Sequence, residues 1–534
     1  MSLGRYFHTV RHLRPVQVYG RLWHRLARPR VDARPAPPLA SLPGAWTAPA
    51  WREPSLREVS PGRYAFSFLS VERTLAEAGG WDDTGVPRLW RYNLHYFDDL
   101  VARGAASRRD LHRALIARWI AENPPGAGSG WEPYPISLRV VNWIKAELSE
   151  RAAGRALLDD AANASLAVQL RWLRGRLERH LQGNHLWANA KALVAGGTYF
   201  GGAEGDALLA AGAALFREEL SEQLLADGGH YERSPMYHAT MLEDVLDLTA
   251  LARAATLRFP AALRDDLERA APRMLRWLRV MTHPDGGIAL FNDAAFGVAG
   301  DLATLSAYSR TLGVPFDERP LAPCEALRDS GYVRLSNERA VVICDIADVG
   351  PDHLPGHAHA DTLSFELSVH GERVLVNGGT STYERDAERQ RQRGTAAHNT
   401  VVVDGADSSE VWGAFRVARR ARAHLLHAGA FDGVAFAEGE HDGYRLLPGR
   451  VTHRRRWELR DRSLELRDVL VGAYGEARAH FLLAPGQAVR FECEPPSTLI
   501  EEAAAWHPRF GQSVPTIRRA IPVLGGELLT RVSW

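Results

Sequence analysis

GHAHADTLSFELSVHGERVLVNGG, residues 356–379, begins with two histidines and a carboxylate spaced two residues apart. Apolar side chains then alternate with polar ones through TLSFELSV, which predicts a half-buried β-strand. If the extended conformation already holds at its start, His357, His359 and Asp361 share one face, where one imidazole can transfer protons and another can bind a metal. The alternatives are a strand that begins after Asp361, or a polar strand end with solvated histidines.

Segments with the same alternation continue from about residue 325 to the C-terminus. The dipeptides His-Gly at 370–371 and Asp-Gly at 404–405 and 432–433 supply the turns that such strands need. Many short strands joined by glycine-containing turns predict a β-sandwich or a related all-β domain.

Upstream of this region the apolar period changes to that of helices. Helices are predicted at 108–122, 136–150, 155–181, 185–199, 205–226, 239–257, 263–282 and 300–312. Short connections between them predict antiparallel helix pairs. The predicted organisation is a basic helix and a Pro-rich connector in 1–60, a helical domain in 61–318 and a β domain in 319–534, with the Pro-rich segment LGVPFDERPLAP at the boundary.

The composition narrows the function classes. A formal net charge of +1 over 534 residues argues against a nucleic-acid binder driven by bulk charge, although a local basic groove for an acidic substrate is compatible with it. Three cysteines without a CxxC pair argue against a disulfide framework or a thiolate zinc site. The 15 tryptophans are compatible with sugar stacking and equally with large core residues. The oligomeric state stays open.

The first 30 residues are basic and contain no apolar run long enough for a secretory signal or a membrane span. Two interpretations remain: an N-terminal helix packed on the body, which is favoured, or a segment that lies on an anionic membrane surface. The expected location is cytoplasmic or peripherally membrane-associated, with the periplasm as the alternative.

Two motifs in the helical region carry groups suited to chemistry. In NHLWANAKAL (184–193), Asn184 and His185 stand at a helix start, where they either bind a carboxylate or act as an ordinary N-cap with an exposed histidine. In DGGHYERSPMYHATMLED (227–244), a tyrosine near cationic groups, Tyr231 or Tyr237, is a candidate acid or base; the alternative is that both tyrosines pack on the domain rim.

The β region adds a possible metal site. His357, His359 and His398, with the oxygen groups of Asp361 and Asn377 nearby, offer ligands from three separate strands, and such a set suits Zn²⁺. Spacing alone does not decide between a metal site and separate polar groups.

Together these motifs resemble the heparinase II/III-like polysaccharide lyases and their alginate-lyase-like relatives. GWEPYPISLRVVNWIKA (130–146) and RGTAAHNTVVVDG (393–405) add to the resemblance, which extends from about residue 89 to the C-terminus. The N-terminal 60 residues are similar to members associated with bacterial capsule and exopolysaccharide genes. The resemblance implies an incomplete (α/α) toroid of helical hairpins followed by an antiparallel β-sandwich, and β-elimination at a 4-linked uronic acid.

The resemblance also implies roles for single residues. Asn184, with His185 beside it, would neutralise the uronate; Tyr237 would be the acid and possibly also the base; His357 would be the catalytic histidine of the β domain. His359 and His398 would be ligands of Zn²⁺ or another divalent metal, and no organic cofactor is implied. The usual third ligand is an aspartate, and here Asn377 stands in its place, which removes a negative charge and weakens the expected site.

The predicted function is cleavage of a uronate-containing acidic polysaccharide, with no role for nucleic acid. A basic cleft should accompany it. Two alternatives stay open: a factor that binds polysaccharide during capsule or exopolysaccharide synthesis without chemistry, and a metal-assisted glycan hydrolase. The candidates for substrate binding are Arg91, Trp131, Arg139, Arg233 and Arg393.

Overall fold

The computed structural model describes residues 3–27, 29–42, 44–60, 62–75 and 80–534. Helices dominate the described chain up to residue 311, and strands dominate from residue 324 onward. The helices are α1 (Leu3–Val10), α2 (Pro15–Leu26), α3 (Arg88–Tyr96), α4 (Arg109–Glu122), α5 (Pro133–Ala152), α6 (Asp160–Arg174), α7 (Gly183–Tyr199), α8 (Gly202–Gln223), α9 (Pro235–Ala254), α10 (Ala261–Val280), α11 (Leu302–Thr311) and α12 (Ala387–Arg393).

The centre of the helical domain is α7, which is buried along its whole length except at His185. A helix that is apolar on nearly all sides must be surrounded by other helices, and α5, α6, α8 and α9 surround this one. Gly197 allows the closest approach, because a Cβ atom there would lie 2.2 Å from the backbone nitrogen of Leu209 in α8. The packing of these four helices around α7 fixes the position of the whole helix, including its first turn.

Eight helices lie close to the predicted ranges, and the differences have local causes. The helix predicted over 155–181 is shorter, because the amides of Leu157 and Leu158 bind the carboxylate of Glu147 and a turn follows at Gly175. The N-terminal basic segment forms two helices rather than one, with Pro15 at the start of the second. Helices α3 and α12 were not predicted.

The strands are β1 (Leu56–Ser60), β2 (Arg63–Phe68), β3 (Val71–Thr74), β4 (Cys324–Leu327), β5 (Tyr332–Ser336), β6 (Ala340–Asp345), β7 (Phe365–Val369), β8 (Glu372–Leu375), β9 (Val401–Val403), β10 (Val411–Trp412), β11 (Arg416–Val417), β12 (Ala423–Phe431), β13 (Val434–His441), β14 (Thr452–Leu459), β15 (Ser463–Val471), β16 (Ala477–Leu482), β17 (Arg490–Glu494), β18 (Ile500–Trp506), β19 (Val514–Pro522) and β20 (Glu527–Ser533).

Three larger antiparallel sheets, in the strand orders β4-β5-β6-β7-β8, β12-β13-β14-β15-β20-β17 and β18-β19-β16-β9, and the two-stranded pair β10-β11 build the β domain. Alternating burial along β13, β14 and β15 turns one face of the second sheet inward. Its Trp457 and Leu466 share a core with Val333 and Leu367 of the first sheet, so the two sheets form a sandwich. A small sheet, β1-β2-β3, lies in a region where no strand was predicted.

The stretch from His357 to Asp361 is a loop, and regular strand structure begins only at Phe365. Leu363, just before β7, has a positive φ of 61°, which interrupts any extended run. The prediction that His357, His359 and Asp361 share one strand face is therefore wrong. The alternative of a strand that begins after Asp361 describes the chain.

Candidate active site

A cavity of about 1810 Å³ lies between the helical and β domains. The first turns of α7 and α9 contribute one wall, and the loop at His357 and the segment around Tyr383 contribute the other. A cleft at a domain junction is the usual place for a small-molecule or polymer site. The two polar motifs of the helical domain and the histidine loop of the β domain therefore meet at this cavity.

His357 is held in one orientation at the cavity wall. Its Nδ1 lies 2.9 Å from Oδ2 of Asp293, so Nδ1–H donates and Nε2 is left as the acceptor. Nε2 points toward Glu232, whose Oε2 lies 3.7 Å away. The side chain of His357 is 14% exposed, which gives a ligand in the cavity access to it. An imidazole fixed in this way is suited to accept a proton.

Tyr237 lies directly against His357, with ring centroids 4.0 Å apart. The start of α9 positions it, because the hydroxyl of Ser234 caps the helix by accepting from the Tyr237 amide at 3.2 Å. The Tyr237 hydroxyl is 3.0 Å from the hydroxyl of Tyr383. Burial, with Tyr383 and Asp293 nearby, raises the pKa of Tyr237 well above its ordinary value. The phenol is therefore protonated at neutral pH and can donate a proton.

Asn184 and His185 stand at the N-terminus of α7 and line the cavity. The amides of a first helical turn have no partner within the helix and carry partial positive charge. Gly183 is required here, because it has a φ of 55° and a Cβ atom would lie 2.8 Å from Oε1 of Glu232. Burial opposes protonation of His185, but Glu178, at 3.1 Å from its Nδ1, raises the pKa of that imidazole overall. The pair combines an amide donor with a cation-forming imidazole, which suits a carboxylate ligand.

Glu232 occupies the space between the helix start and His357. Burial raises the pKa of its carboxyl, opposed by the nearby His357 imidazole. The side chain is almost fully buried, and neither carboxylate oxygen has a hydrogen-bond partner among the described residues. Glu232 thus lies between the α7 and β-domain parts of the site without a hydrogen bond to either.

Asp293 connects the two histidines of the loop. Its Oδ2 accepts from His357, and its Oδ1 lies 2.9 Å from Nε2 of His359. Arg389 of α12 donates to both oxygens, with Nη2 2.7 Å from Oδ2. Burial opposes ionisation of Asp293, but Arg389 and the two imidazoles hold its pKa well below the ordinary value. A charged, fully buried carboxylate therefore orients both imidazoles.

A second cluster lies behind the loop, in the β-domain interior. One ligand atom from each of His359, Asp361 and His398 lies within 4.8 Å of the other two. Nδ1 of His359 and Nε2 of His398 are buried without a hydrogen-bond partner. The remaining ring nitrogen of His398 donates to Oδ1 of Asn377 at 2.7 Å. Two imidazole nitrogens and a carboxylate form a donor set that fits Zn²⁺.

The prediction that Asn377 is itself a ligand stays a prediction. Its Oδ1 lies 2.7 Å from Nδ1 of His398, a position from which it can orient that imidazole. Asp361, two positions after His359, adds a carboxylate to the cluster.

The five residues predicted to bind substrate do not line the cavity, and this prediction is corrected. Arg139 and Arg393 are fully buried and donate to backbone carbonyls, of His95 and Gly130 and of Ala358 and Gly413 respectively.

The other three are also engaged elsewhere. Trp131 is buried against Trp119. Arg91 lies 3.7 Å from Asp82, and Arg233 donates to the carbonyl of Asp348 at 2.6 Å. All five stabilise the protein frame.

The cavity wall is also less basic than expected, because acidic side chains are about as numerous as basic ones. Lys145 and Lys191, for example, are paired with Asp244 and Asp247. Among the residues that the structure describes, five exposed arginines on the wall form no ion pair with a carboxylate: Arg21, Arg25, Arg385, Arg416 and Arg509.

Sequence reasoning missed Asp293 and Tyr383, and it did not assign Glu232 or Arg389 a role in the site. A signal was present for Asp293, since a lone carboxylate interrupts the apolar run IALFNDAAF. Such a charge is buried only with partners. Its partners are 64 to 96 residues away in the chain, so spacing could not identify them.

Comparison with known proteins gives two family matches. Residues 116–310 match the profile described as "Heparinase II/III N-terminus", and residues 319–532 match "Heparinase II/III-like, C-terminal". The FtsZ-localized protein C of Caulobacter vibrioides is 27% identical over 398 residues, which are 70% of this chain and 63% of that protein. A heparin-sulfate lyase of Pedobacter heparinus is 24% identical over 54% of this chain and 46% of its own length. The chain spans less than two thirds of either relative.

Solved structures share the architecture. The crystal structure of heparinase III superposes with a TM-score of 0.70 at 19% identity, covering 86% of this chain and 80% of that one. Heparan sulfate lyase HepC of Pedobacter heparinus gives a TM-score of 0.56 at 17% identity, covering 97% and 87%. At these identities the likeness shows the fold, which confirms the predicted toroid followed by a β-sandwich.

Proposed function

The chain belongs to the heparinase II/III family, and on this premise we propose that it cleaves a uronate-containing polysaccharide by β-elimination. The observation that carries the proposal is the contact between Tyr237 and His357 across the domain junction, 4.0 Å between ring centroids, beside the Asn184 helix start. Relatives from Bacteroides stercoris and Pedobacter heparinus are named heparin-sulfate lyases, whereas the name of the FtsZ-localized protein C gives no substrate. The proposed substrate class follows from the family and from the side chains of the site.

The first requirement of the reaction is to make the proton on C5 of the uronate more acidic. Asn184 and His185 would hold the carboxylate, so that negative charge can spread into it as the proton leaves. Glu178 supports this role by raising the pKa of His185 against the effect of burial. The backbone amides at the start of α7 add partial positive charge at the same place.

The second requirement is a base and an acid in contact. Nε2 of His357, the acceptor nitrogen, would take the C5 proton; the electron pair forms the C4–C5 double bond and the C4–O4 bond breaks. Tyr237 would give its proton to O4. The close packing of the two rings then lets the imidazolium return a proton to the phenolate. The raised pKa of Tyr237 supports its assignment as the acid.

We further propose that His359, Asp361 and His398 hold a divalent cation such as Zn²⁺. The two unpartnered imidazole nitrogens and the carboxylate fit such an ion. When bound, it would cross-link the histidine loop to the chain before β9. Elemental analysis after metal-supplemented purification tests this, and a content below about 0.2 ions per chain would contradict it.

The lyase proposal is tested with a panel of uronate polymers of different linkage, comparing wild type with Tyr237→Phe. We expect ultraviolet-absorbing unsaturated ends from wild type on at least one polymer and none from the variant. Binding of a polymer by both proteins without turnover would favour a polysaccharide-binding factor. New reducing ends without the unsaturated chromophore would favour a hydrolase.

A further inference from the structure

The N-terminal hairpin, defined as α1 and α2 (residues 3–26), is attached to the body through one side only. The amide of Gln17 donates to the carbonyl of His353 at 3.0 Å, and the indole of Trp412 donates to the hydroxyl of Thr9 at 3.1 Å. Gly20 lies directly against His180, because a Cβ atom there would be 2.8 Å from that residue's Cβ. The hairpin therefore has a defined orientation on the protein.

Its other side is apolar and open to solvent. In α2, Val18, Tyr19, Leu22, Trp23 and Leu26 recur at the spacing of one helix face. Leu22, Trp23 and Leu26 are 61%, 69% and 71% exposed. A contiguous apolar face of this kind is rare on a soluble surface and marks an interaction site.

Helix α1 adds two more exposed apolar side chains, Leu3 and Phe7. Tyr6 and Val10 of the same helix line the cavity instead, and Tyr6 packs on Trp412 with ring centroids 5.5 Å apart. We refer to Leu3 and Phe7 together with the exposed apolar residues of α2 as the outer face. Tyr19 and Trp23 have an apolar body and a polar edge, as is usual at a membrane–water boundary.

The charge that the hairpin itself carries is entirely positive. Residues 1–31 contain seven arginines and no aspartate or glutamate. Arg21 and Arg25 follow the edge of the apolar stripe on α2, and neither forms an ion pair with any residue that the structure describes. Arg14 differs, because it is bound to Glu222 at 2.5 Å. An apolar stripe bordered by arginines is complementary to an anionic bilayer surface.

We infer that the outer face binds the surface of an anionic phospholipid bilayer, with both helices in the plane of the membrane. None of the described helices is long and apolar enough to cross one. Tyr6, Leu13 and His24 of the same hairpin line the cavity. Binding would therefore bring the cavity close to the membrane surface.

The test is co-sedimentation of the full chain with phosphatidylcholine vesicles that contain or lack phosphatidylglycerol. We expect sedimentation with the anionic vesicles only, weakened by added salt. The variant Leu22→Glu/Trp23→Glu should reduce the bound fraction about ten-fold or more, because it places two negative charges in the apolar stripe. The control is Leu257→Glu, a leucine that is even more exposed (96%) and lies far along the chain, which should bind like wild type.

Three results would overturn the inference. One is wild-type protein that stays in solution with anionic vesicles. Another is equal binding by the double variant, with circular dichroism showing that both proteins are folded. The third is light scattering that gives a dimer for wild type and a monomer for Leu22→Glu/Trp23→Glu without vesicle binding, since the outer face would then cover a second copy of the chain.

Discussion

His357 and His359 lie two residues apart and bond to the two oxygens of one carboxylate, yet they belong to different regions of the molecule. His357 lines the cavity with Tyr237, and we call this pair with Asn184 the cavity site. His359 is fully buried with Asp361 and His398, and we call these three the interior site. The difference shows that loop conformation, not residue type or spacing, assigns each imidazole its task.

Asp293 is the shared element of the two sites. In the cavity site it leaves Nε2 of His357 facing a ligand, and in the interior site it leaves Nδ1 of His359 facing His398. A defect at Asp293 should therefore affect both sites, whereas defects within either site should stay local. This expectation orders the substitutions below.

The largest effect is expected from Tyr237→Phe. Loss of the acid should lower kcat by about 10³-fold or more, since proton transfer by a positioned side chain contributes roughly 10²–10⁴-fold. The melting temperature should change little, because the lost hydroxyl bonds only to Tyr383. Steady-state kinetics and thermal melts measure the two quantities.

The matched control is Tyr383→Phe, which removes the other hydroxyl of the same hydrogen bond. It should keep kcat within about ten-fold of wild type if Tyr383 only positions its partner. If both variants lose activity equally, the acid is not specifically Tyr237, and the cavity site needs a new assignment.

Asp293→Asn should impair both sites together. Arg389 would be left buried without its counter-charge, which costs about 3–5 kcal/mol of stability. The kcat should fall about 10²-fold as His357 loses its orientation. Unfolding by denaturant and kinetics at low temperature separate the two consequences.

The control for this variant is the double substitution Asp293→Asn/Arg389→Met. Removing the orphaned cation should restore much of the stability while leaving kcat low. Recovery of activity along with stability would mean that the catalytic defect was only a folding defect. In that case Asp293 would not orient His357 for chemistry.

His398→Ala should damage only the interior site. Bound metal should be lost and the melting temperature should fall by several degrees, as expected when a ligand of the native state is removed. The kcat at low temperature should stay within about three-fold of wild type, since His398 is buried away from the cavity wall.

Chelation provides the parallel measurement for the interior site. A chelator should lower the melting temperature of wild type and leave His398→Ala unchanged. A large loss of kcat in His398→Ala, with the protein folded, would contradict the division into two sites. The metal would then be coupled to the chemistry.

The ranges of helices and strands were predicted from the sequence more accurately than the contacts between side chains. The ranges of α5, α7 and α9 followed from long apolar segments bounded by Gly, Pro and Asp, which mark where such helices begin and end. Asn184, Tyr237 and His357 came from motifs that resemble a family, and they meet in one cavity. These are local signals that survive in a single sequence.

Arg139 shows why the remaining contacts could not be predicted. Its type and its position on a polar helix face favoured a substrate cleft, but it is buried and bound to the carbonyls of His95 and Gly130. Lys145 on the same helix is likewise paired with Asp247, 102 residues away. Whether a charge meets solvent or a partner is decided by tertiary packing.

The smallest effect is expected at Glu219, a buried carboxyl without a cationic partner such as Arg389 provides for Asp293. Glu219 of α8 is buried and receives a hydrogen bond from the Gln223 amide at 2.6 Å, with no cation among its hydrogen-bond partners in the described structure. Burial raises its pKa to about 7, from a model-peptide value of 4.5. Asp293, equally buried, has a lowered pKa because Arg389 faces it. Burial alone thus raises the pKa of a carboxyl, whereas burial beside a cation lowers it.

This contrast makes stability depend on pH in a defined direction. The pKa of Glu219 is higher in the folded protein than in the unfolded chain, so protonated Glu219 stabilises the folded state. This stabilisation is complete below about pH 4.5 and is lost as pH rises through about 7. Wild type should therefore lose about 2 kcal/mol of unfolding free energy between pH 5 and 7 from Glu219. Glu219→Gln keeps the acceptor for Gln223 and should remove this slope, as measured by urea unfolding at several pH values. If the unfolding free energy of Glu219→Gln still falls between pH 5 and 7, the group that titrates lies elsewhere. A neutral partner, the Gln223 amide, would then be sufficient to keep Glu219 ionised without a cation.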